Sequence, residues 1–382
     1  MTEAYIVSAL RTPVGRRRGG LAGVHPVDLS AHTIGAVVGR AGIDPALVDD
    51  VIWGCVGQVG AQAFNVARTA GLSAGLPESV PATTIDRQCG SSQQAVHFAA
   101  QAIRSGDQDV VVAGGVEVMS LVPLGIGATL GQEAGLGHPR SGAGWAARYG
   151  DQEISQFRGA ELIAQEWSIS REDMEEFALR SHQRAAEAVD GGLFDDEIVP
   201  VEDVKRDEGP RRDSTLERLA ALKTLVEGGR MTAGVASQIS DGSAALLLAS
   251  GEACERHGLT PLARVHTTAV VGSDPVKMLS GPIPATAKVL ERAGLRLDDI
   301  DAFEVNEAFA PIVLAWQRAT GASIDKTNVN GGAIALGHPL GATGARLMTS
   351  LVHHLRRTGG RYGLQTMCEG GGMANATIIE AL

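Results

Sequence analysis

The chain repeats one pattern of secondary structure in its two halves, and this duplication limits the fold more than any other feature. Residues 41–54 predict a helix end, an acidic turn and a buried strand, and residues 293–303 repeat that order. Residues 90–113 then predict an apolar helix followed by a buried strand, as do residues 344–367. Continuous apolar strands that alternate with helices are typical of sheets covered on both faces. The sequence therefore predicts a duplicated α/β unit.

A segment of different character interrupts the first half. It combines a glycine-rich stretch with charged amphipathic helices, one over residues 151–167 and another that begins after Ser170, with Asp173 three residues on. A loop-rich basic stretch follows at residues 205–230. We predict an N-terminal half at residues 1–117 plus 246–258, an inserted loop or cover domain at 118–245, and a C-terminal half at 259–382.

The composition argues against several classes of function. The net charge of −11 disfavours a nucleic-acid surface. No apolar run approaches the ~20 residues of a membrane-spanning helix, and the first residues do not resemble a secretory signal. The four cysteines, Cys55, Cys89, Cys254 and Cys368, lack paired spacing. We therefore expect no disulfide framework, no zinc site and a reducing, cytoplasmic environment.

Cys89 lies where a β-branched approach at Thr84-Ile85 turns sharply into an alanine-rich run. This pattern predicts a strand, a tight turn and a helix whose first turn holds Cys89. A thiol there experiences the positive end of the helix dipole, which favours the thiolate. Lone cysteines are usually inert core residues, however, so Cys89 alone does not establish a nucleophile.

Three later motifs also carry polar or reactive groups. His338 lies in a glycine-rich turn whose spacing resembles a phosphate loop, but it occupies the position where that loop needs lysine, so the phosphate-loop interpretation fails. A structural role for this histidine stays open. Cys368 ends a buried strand and is followed by glycines, which offer a thiol and exposed N–H groups together. Asn306 and Glu307 follow another buried strand, where Asn306 could instead cap the next helix.

Together these motifs resemble the thiolase family of acetyl-CoA acyltransferases. The matching stretches are Cys89, Asn306-Glu307-Ala308-Phe309, Gly337-His338-Pro339 and Cys368-x-Gly370, in this order. The similarity extends from Ala9 to Glu380, and the residues around both cysteines are most similar to actinobacterial thiolases of steroid breakdown. The resemblance implies a layered αβαβα core with an inserted cover domain. It also implies CoA-dependent cleavage of 3-ketoacyl-CoA to acetyl-CoA and a shortened acyl-CoA, the reverse of a Claisen condensation.

The resemblance implies a chemical role for each motif. Cys89 is then the nucleophile that carries the acyl group, and His338 is the base that activates it. Cys368 is the general acid/base that exchanges the α-proton of acetyl-CoA. The His338 ring N–H and a water held by Asn306 stabilise the enolate oxygen. The backbone N–H groups of Cys89 and Gly370 stabilise the acyl-enzyme oxygen.

The family pattern also implies contacts to CoA. Ser237 lies beside the pantetheine, Met278 and Phe309 occupy apolar pocket positions, and Arg211 lies near the nucleotide. Acyl-CoA and CoA are then the partners, with CoA a substrate rather than a bound cofactor, and no metal is expected. A homodimer or homotetramer is implied by the resemblance alone.

Two alternatives stay open. A β-ketoacyl synthase has a similar fold, but it combines its cysteine with two histidines or with a histidine and an asparagine, whereas the third position here is Cys368. A non-catalytic acyl-CoA or lipid-binding protein on the same scaffold would be expected to have lost the reactive groups. The sequence does not specify the acyl chain, the physiological direction or the choice between dimer and tetramer.

Overall fold

A computed structural model describes residues 2–382, which form ten strands and thirteen α-helices. The strands are β1 (Ala4–Arg11), β2 (Gly15–Arg16), β3 (Asp50–Gly54), β4 (Ala82–Ile85), β5 (Val110–Val118), β6 (Ser240–Ser250), β7 (Ala263–Gly272), β8 (Ala302–Val305), β9 (Tyr362–Glu369) and β10 (Met373–Ala381). The helices are α1 (Pro26–Ala41), α2 (Val66–Ser73), α3 (Ser91–Ser105), α4 (Ile126–Glu133), α5 (Ala143–Tyr149), α6 (Gln156–Glu166), α7 (Arg171–Asp190), α8 (Leu216–Ala220), α9 (Gly251–His257), α10 (Pro282–Ala293), α11 (Ala310–Thr320), α12 (Ala333–Leu336) and α13 (Leu340–Thr358).

The strands form one mixed sheet in the order β4-β3-β5-β6-β1-β7-β10-β9-β8, with β2 paired to β6. The joint between its halves is short, because β1 pairs with β7 only at Tyr5 and Ile6. Each half has parallel pairs at its outer side and antiparallel pairs toward the joint. A parallel bridge between Phe303 and Thr327 occupies the position that β4 has in the first half. The predicted duplication is therefore confirmed by matching strand order.

Five layers result from this duplication. Helices α3 and α13 pack between the two half-sheets, while α1 and α2 cover the outer face of the first and α10 and α11 that of the second. The two central helices approach closely through small residues, since a Cβ at Gly344 would collide with the backbone of Gln93. The predicted αβαβα core is thus confirmed. Because Gln93 and Gly344 lie near the beginnings of α3 and α13, the N-termini of the two helices meet, and Cys89 and His338, which precede these helices, are brought together.

The segment between β5 and β6 carries helices α4 to α8 and packs over the C-terminal half, with α6 and α7 against α11 and α7 also against α12. A buried ion cluster fixes it to β1. The Arg11 guanidinium donates to Glu197 at 2.6 Å and to Asp207 at 2.7 Å. The core strand β6 already begins at Ser240, before the predicted boundary at residue 245. The division into three parts stays a prediction.

Helix boundaries differ modestly from the sequence-based expectations. The helix expected over 151–167 begins at Gln156, because the Ser155 hydroxyl caps it by accepting from the Arg158 N–H. The capping box at Ser170 and Asp173 is present as predicted. No helix among residues 2–382 combines the length and the apolar character that crossing a membrane would require.

Candidate active site

Cys89 lies in the turn between β4 and α3. The turn is held by the Asp86 carboxylate, which accepts the Gln88 N–H at 2.6 Å, and Gln88 takes the left-handed conformation with φ 48°. The prediction that the first helical turn holds Cys89 is wrong, since α3 begins at Ser91 with Gly90 as its N-cap. The thiol therefore precedes the helix and depends on other donors for stabilisation of a negative charge.

The expectation that this position favours a thiolate is also wrong for the resting site. Burial, the largest cause, and the charge of Glu369 together raise the pKa of the Cys89 thiol to about 12. Hydrogen bonds from the backbone N–H groups of Cys89 and Gly370 act in the opposite direction but do not compensate. Desolvation outweighs local dipoles here because removing a charge from water costs more than two N–H groups return. The thiol must therefore be deprotonated during the reaction.

His338 is buried and has a defined tautomer. Its Nδ1 lies 2.7 Å from the Thr343 hydroxyl, and that hydroxyl donates its single proton to the Pro339 carbonyl at 2.8 Å. The ring must therefore donate from Nδ1, which leaves the lone pair on Nε2. Burial lowers the pKa of His338 to about 3, with a contribution from Arg346. The neutral imidazole thus presents Nε2 as a proton acceptor.

Asn306 faces His338 rather than the following helix. Its Nδ2 lies 3.4 Å from His338 Nε2, and α11 begins only at Ala310 with Phe309 as its N-cap. The capping alternative for Asn306 is therefore not adopted. Its Oδ1 is buried and finds no partner in the described part of the chain. A buried amide oxygen in this situation commonly binds an ordered water.

Cys368 lies next to Cys89 although the two residues are far apart in the sequence. Cys368 belongs to β9 and is fully buried. Burial raises its pKa well above the ordinary value, and the charge of Cys89 is the second cause. This electrostatic effect of Cys89 on Cys368 indicates that the two thiols lie close together in the folded chain.

Glu117 fixes the turn that carries His338. Its carboxylate, buried in β5, accepts the N–H of Gly341 at 2.9 Å, at the beginning of α13, and those of Val56 at 3.0 Å and Gly57 at 2.9 Å. These bonds tie the His338 turn to the N-terminal half-sheet. The sequence analysis missed Glu117, although an acidic residue inside the otherwise apolar run Val110–Val118 was the available signal.

A cavity of about 720 Å³ opens onto the reactive groups. Cys89, His338 and Gly370 line it together with Met278, one of the predicted pocket residues. We call it the acyl cavity; its larger apolar lining residues besides Met278 include Val56, Val59, Met119, Val122, Leu124, Ile126, Ile154, Leu279, Leu340 and Met373. Its volume lies in the range of cavities that hold small organic ligands.

A second cavity, of about 870 Å³, leads from His338 toward the surface. Ser237, Phe309 and Arg211, three of the predicted CoA contacts, all line this outer cavity. Both cavities share a set of lining residues, namely Met119, Leu124, Gln156, His338 and Leu340. Arg16 and Arg17 also line the outer cavity and were not predicted. The sequence signal for these two residues was the basic run that follows the first strand. Only the folded chain shows that this run reaches the outer cavity.

Sequence comparisons decide the family. The family description "Thiolase, N-terminal domain" matches residues 4–252, and "Thiolase, C-terminal domain" matches residues 259–381. The chain belongs to the thiolase family. This thiolase is an acyltransferase, and thiolytic cleavage of 3-ketoacyl-CoA is the reaction of its class.

Individual relatives agree with this assignment. The thiolase is 58% identical to the steroid 3-ketoacyl-CoA thiolase FadA6 of Mycobacterium tuberculosis, over all of this chain and 95% of that protein. It is 45% identical to a beta-ketoadipyl-CoA thiolase of Escherichia coli and 44% identical to a 3-ketoacyl-CoA thiolase of Yersinia pestis, each over the full length of both chains. The crystal structure of the Bacillus anthracis acetyl-CoA acetyltransferase has a TM-score of 0.91 and 41% identity, covering 100% of this chain and 99% of that one.

Proposed function

We propose that this thiolase cleaves 3-ketoacyl-CoA through an acyl-enzyme on Cys89. The observation that carries the proposal is the convergence of Cys89, His338 and Gly370 on one cavity, with a second thiol, Cys368, beside Cys89. A Claisen cleavage needs a nucleophile and a separate proton carrier, and two cysteines with different surroundings can supply both.

In the first half-reaction, His338 Nε2 accepts the Cys89 proton and the thiolate attacks the C3 carbonyl. The C2–C3 bond then breaks, C3 stays on Cys89 as a thioester, and the electron pair leaves on C2 as the acetyl-CoA enolate. Cys368 gives that carbon its proton. We expect the N–H groups of Cys89 and Gly370, which donate to the Cys89 sulfur, to stabilise the oxyanion on C3.

In the second half-reaction, the incoming CoA thiol loses its proton to Cys368 and attacks the acyl thioester. The bond from Cys89 to the acyl carbon breaks, and the Cys89 sulfur regains its proton from His338. The lining of the outer cavity supports CoA binding, because it combines Ser237 and Phe309 with the basic side chains of Arg16, Arg17 and Arg211. Arginine side chains suit the phosphate groups of CoA.

For the acyl group, we propose a bulky, ring-bearing chain. The relative at 58% identity is named a steroid 3-ketoacyl-CoA thiolase, whereas those at 44–45% have other named substrates or none specified. The apolar lining of the acyl cavity supports this choice. Gly125 and Gly127 border the cavity, and the absence of side chains there leaves room for a wide group.

The test is thiolysis with free CoA across 3-ketoacyl-CoA esters of short, long and cyclic acyl groups. We expect kcat/KM to be highest for a cyclic ester, and mass spectrometry to find the acyl group on Cys89. Cys368→Ser should still acylate but should lose α-proton exchange of acetyl-CoA by orders of magnitude. Cys89→Ala is the matched control and should lose acylation. Normal α-proton exchange in Cys368→Ser would contradict the role of Cys368.

We further propose that CoA acts as substrate with no resident cofactor or metal, and that the enzyme works in the cytoplasm as a homodimer or homotetramer. No group of three or more His, Cys, Asp or Glu residues within 2–382 is placed to hold a metal ion. We expect thiolysis to continue at the same rate after treatment with a metal chelator. We also expect light scattering to give a molar mass of two or four chains.

A further inference from the structure

Glu369 is a buried carboxyl group beside the two reactive thiols. It ends β9 directly after Cys368 and is fully buried. Neither of its carboxyl oxygens has a hydrogen-bond partner among residues 2–382. Burying a polar group without a partner is costly, and an ionised carboxylate more so. A buried carboxyl group without a hydrogen-bond partner, next to a reactive centre, is therefore a candidate for a functional role.

The carboxyl group packs directly against the turn that carries Cys89. A Cβ added at Gly90 would collide with Glu369 Oε1, so the absence of a side chain at Gly90 creates the space that the carboxyl group occupies. On the other side, the Asn375 amide of β10 donates to the Gly90 carbonyl at 3.1 Å. Glu369 therefore lies against the turn that carries the nucleophile, and it does not line the acyl cavity.

Charged and titratable groups face Glu369 from two elements. The turn before α3 contributes Asp86, Arg87 and Cys89, and β9 contributes Cys368. From β10, Asn375 adds a neutral amide. Burial raises the pKa of Glu369 to about 8, while Arg87 lowers it and Asp86 raises it. The negative charge of Glu369 in turn raises the pKa of both thiols.

We propose that Glu369 is a positioning residue that controls the ionisation of Cys89 through its own protonation state. When Glu369 is neutral, no charge opposes the thiolate. When Glu369 loses its proton, a thiolate on Cys89 would lie close to a second negative charge that water screens poorly, and the thiolate is suppressed. The inference rests on the proposed role of Cys89 as nucleophile. It predicts that alkaline pH activates this thiol less than it activates an ordinary cysteine.

Alkylation by iodoacetamide measures the thiolate directly and needs no thioester substrate. Trypsin places Cys89 in peptide 88–104 and Cys368 in peptide 362–382, so the two thiols are counted separately. Alkylation of intact wild type and Glu369→Gln is compared between pH 6.5 and pH 9.5. His338, whose pKa is lowered to about 3, does not titrate in this range. We expect the Cys89 rates to be equal at the acidic end and about tenfold higher in the variant at the alkaline end.

Glu380→Gln is the control, because Glu380 lies on β10 in ion pairs with Arg264 and Arg361. It should follow wild type at every pH. A ratio between Glu369→Gln and wild type that stays constant across pH would show a purely structural role and would overturn the inference. If Glu369→Gln does not fold, the Cys89 alkylation rate of wild type as a function of pH decides the question. A rate that rises less steeply near pH 8 supports the inference, and a rate that rises tenfold with every pH unit refutes it.

The experiment distinguishes a failure of this inference from a failure of the proposed function. If Cys89 never becomes acylated by 3-ketoacyl-CoA, the proposed function fails, but a pH-dependent alkylation ratio would still establish the charge coupling. If acylation occurs and the ratio is constant, the proposed function stands and the role of Glu369 is wrong.

Discussion

Replacing Thr343 by valine removes the hydroxyl that determines the tautomer of His338, with almost no change in side-chain volume. In the wild type, His338 Nδ1 donates to Thr343 Oγ1 at 2.7 Å, and the lone pair on Nε2 is available for the Cys89 proton. In Thr343→Val the Nδ1 proton has no partner in a buried site. An unsatisfied buried donor costs about 1–3 kcal/mol.

The other tautomer gives the ring proton a partner and leaves only the Nδ1 lone pair unpaired. With the proton on Nε2, the ring can donate to Asn306 Oδ1, which lacks a partner among the described residues and becomes available when the amide turns over. The nitrogen that should accept the Cys89 proton is then already protonated. Since about 1.4 kcal/mol corresponds to a factor of ten, acylation should slow about 5- to 150-fold.

The assay is single-turnover acylation of Cys89, followed by intact mass spectrometry after acid quench. Thr343→Ser keeps the hydroxyl and loses a methyl group, so we expect its rate within about twofold of wild type. Both variants should unfold at similar urea concentrations to wild type. If Thr343→Val acylates as fast as wild type, or if Thr343→Ser is equally slow, Thr343 does not act through the His338 tautomer.

Three further predictions concern CoA binding, pH and stability. The double variant Arg16→Gln/Arg17→Gln should raise the KM for CoA about tenfold, and its KM should depend less on salt concentration than that of wild type. Arg18→Gln is the control, because Arg18 does not line the outer cavity, and it should leave the KM unchanged. Equal effects of the two changes would contradict the assigned phosphate contacts. Burial lowers the pKa of His97 to about 3, so the unfolded chain binds a proton below about pH 6.5 that the folded chain refuses, and stability falls with decreasing pH. In His97→Gln, the unfolding free energy should therefore change less steeply with pH between pH 4 and 6, by about 1.4 kcal/mol per pH unit. Urea titrations at several pH values measure this slope, and a slope equal to that of wild type would refute the prediction. Arg11→Met should cost about 3–5 kcal/mol of unfolding free energy, because Glu197 and Asp207 stay buried without their paired cation. Arg256→Met, which removes an exposed ion pair, should cost about 1 kcal/mol or less. Similar losses in the two variants would show that burial does not make the Arg11 cluster more important.

The architecture was predictable because it depends on periodic burial. The apolar runs of β5 and β6 are buried on both faces, so their composition indicated covered sheets without knowledge of their neighbours. The register between the halves was not predictable. It depends on the short pairing of β1 with β7 and on two central helices that fit through Gly344, which are contacts between distant segments.

Sequence determined by itself which groups are available to react: the two thiols, the imidazole and the amide all belong to short motifs with recognisable neighbours. Only the tertiary structure decided how these groups titrate. The dipole argument predicted an acidic Cys89 thiol, yet enclosure by β9 and the charge of Glu369 raise its pKa to about 12. Likewise, Thr343 and Glu117 fix His338 through contacts that come from the fold. A motif is a local property of the chain, whereas desolvation and charge coupling depend on every segment that surrounds the group.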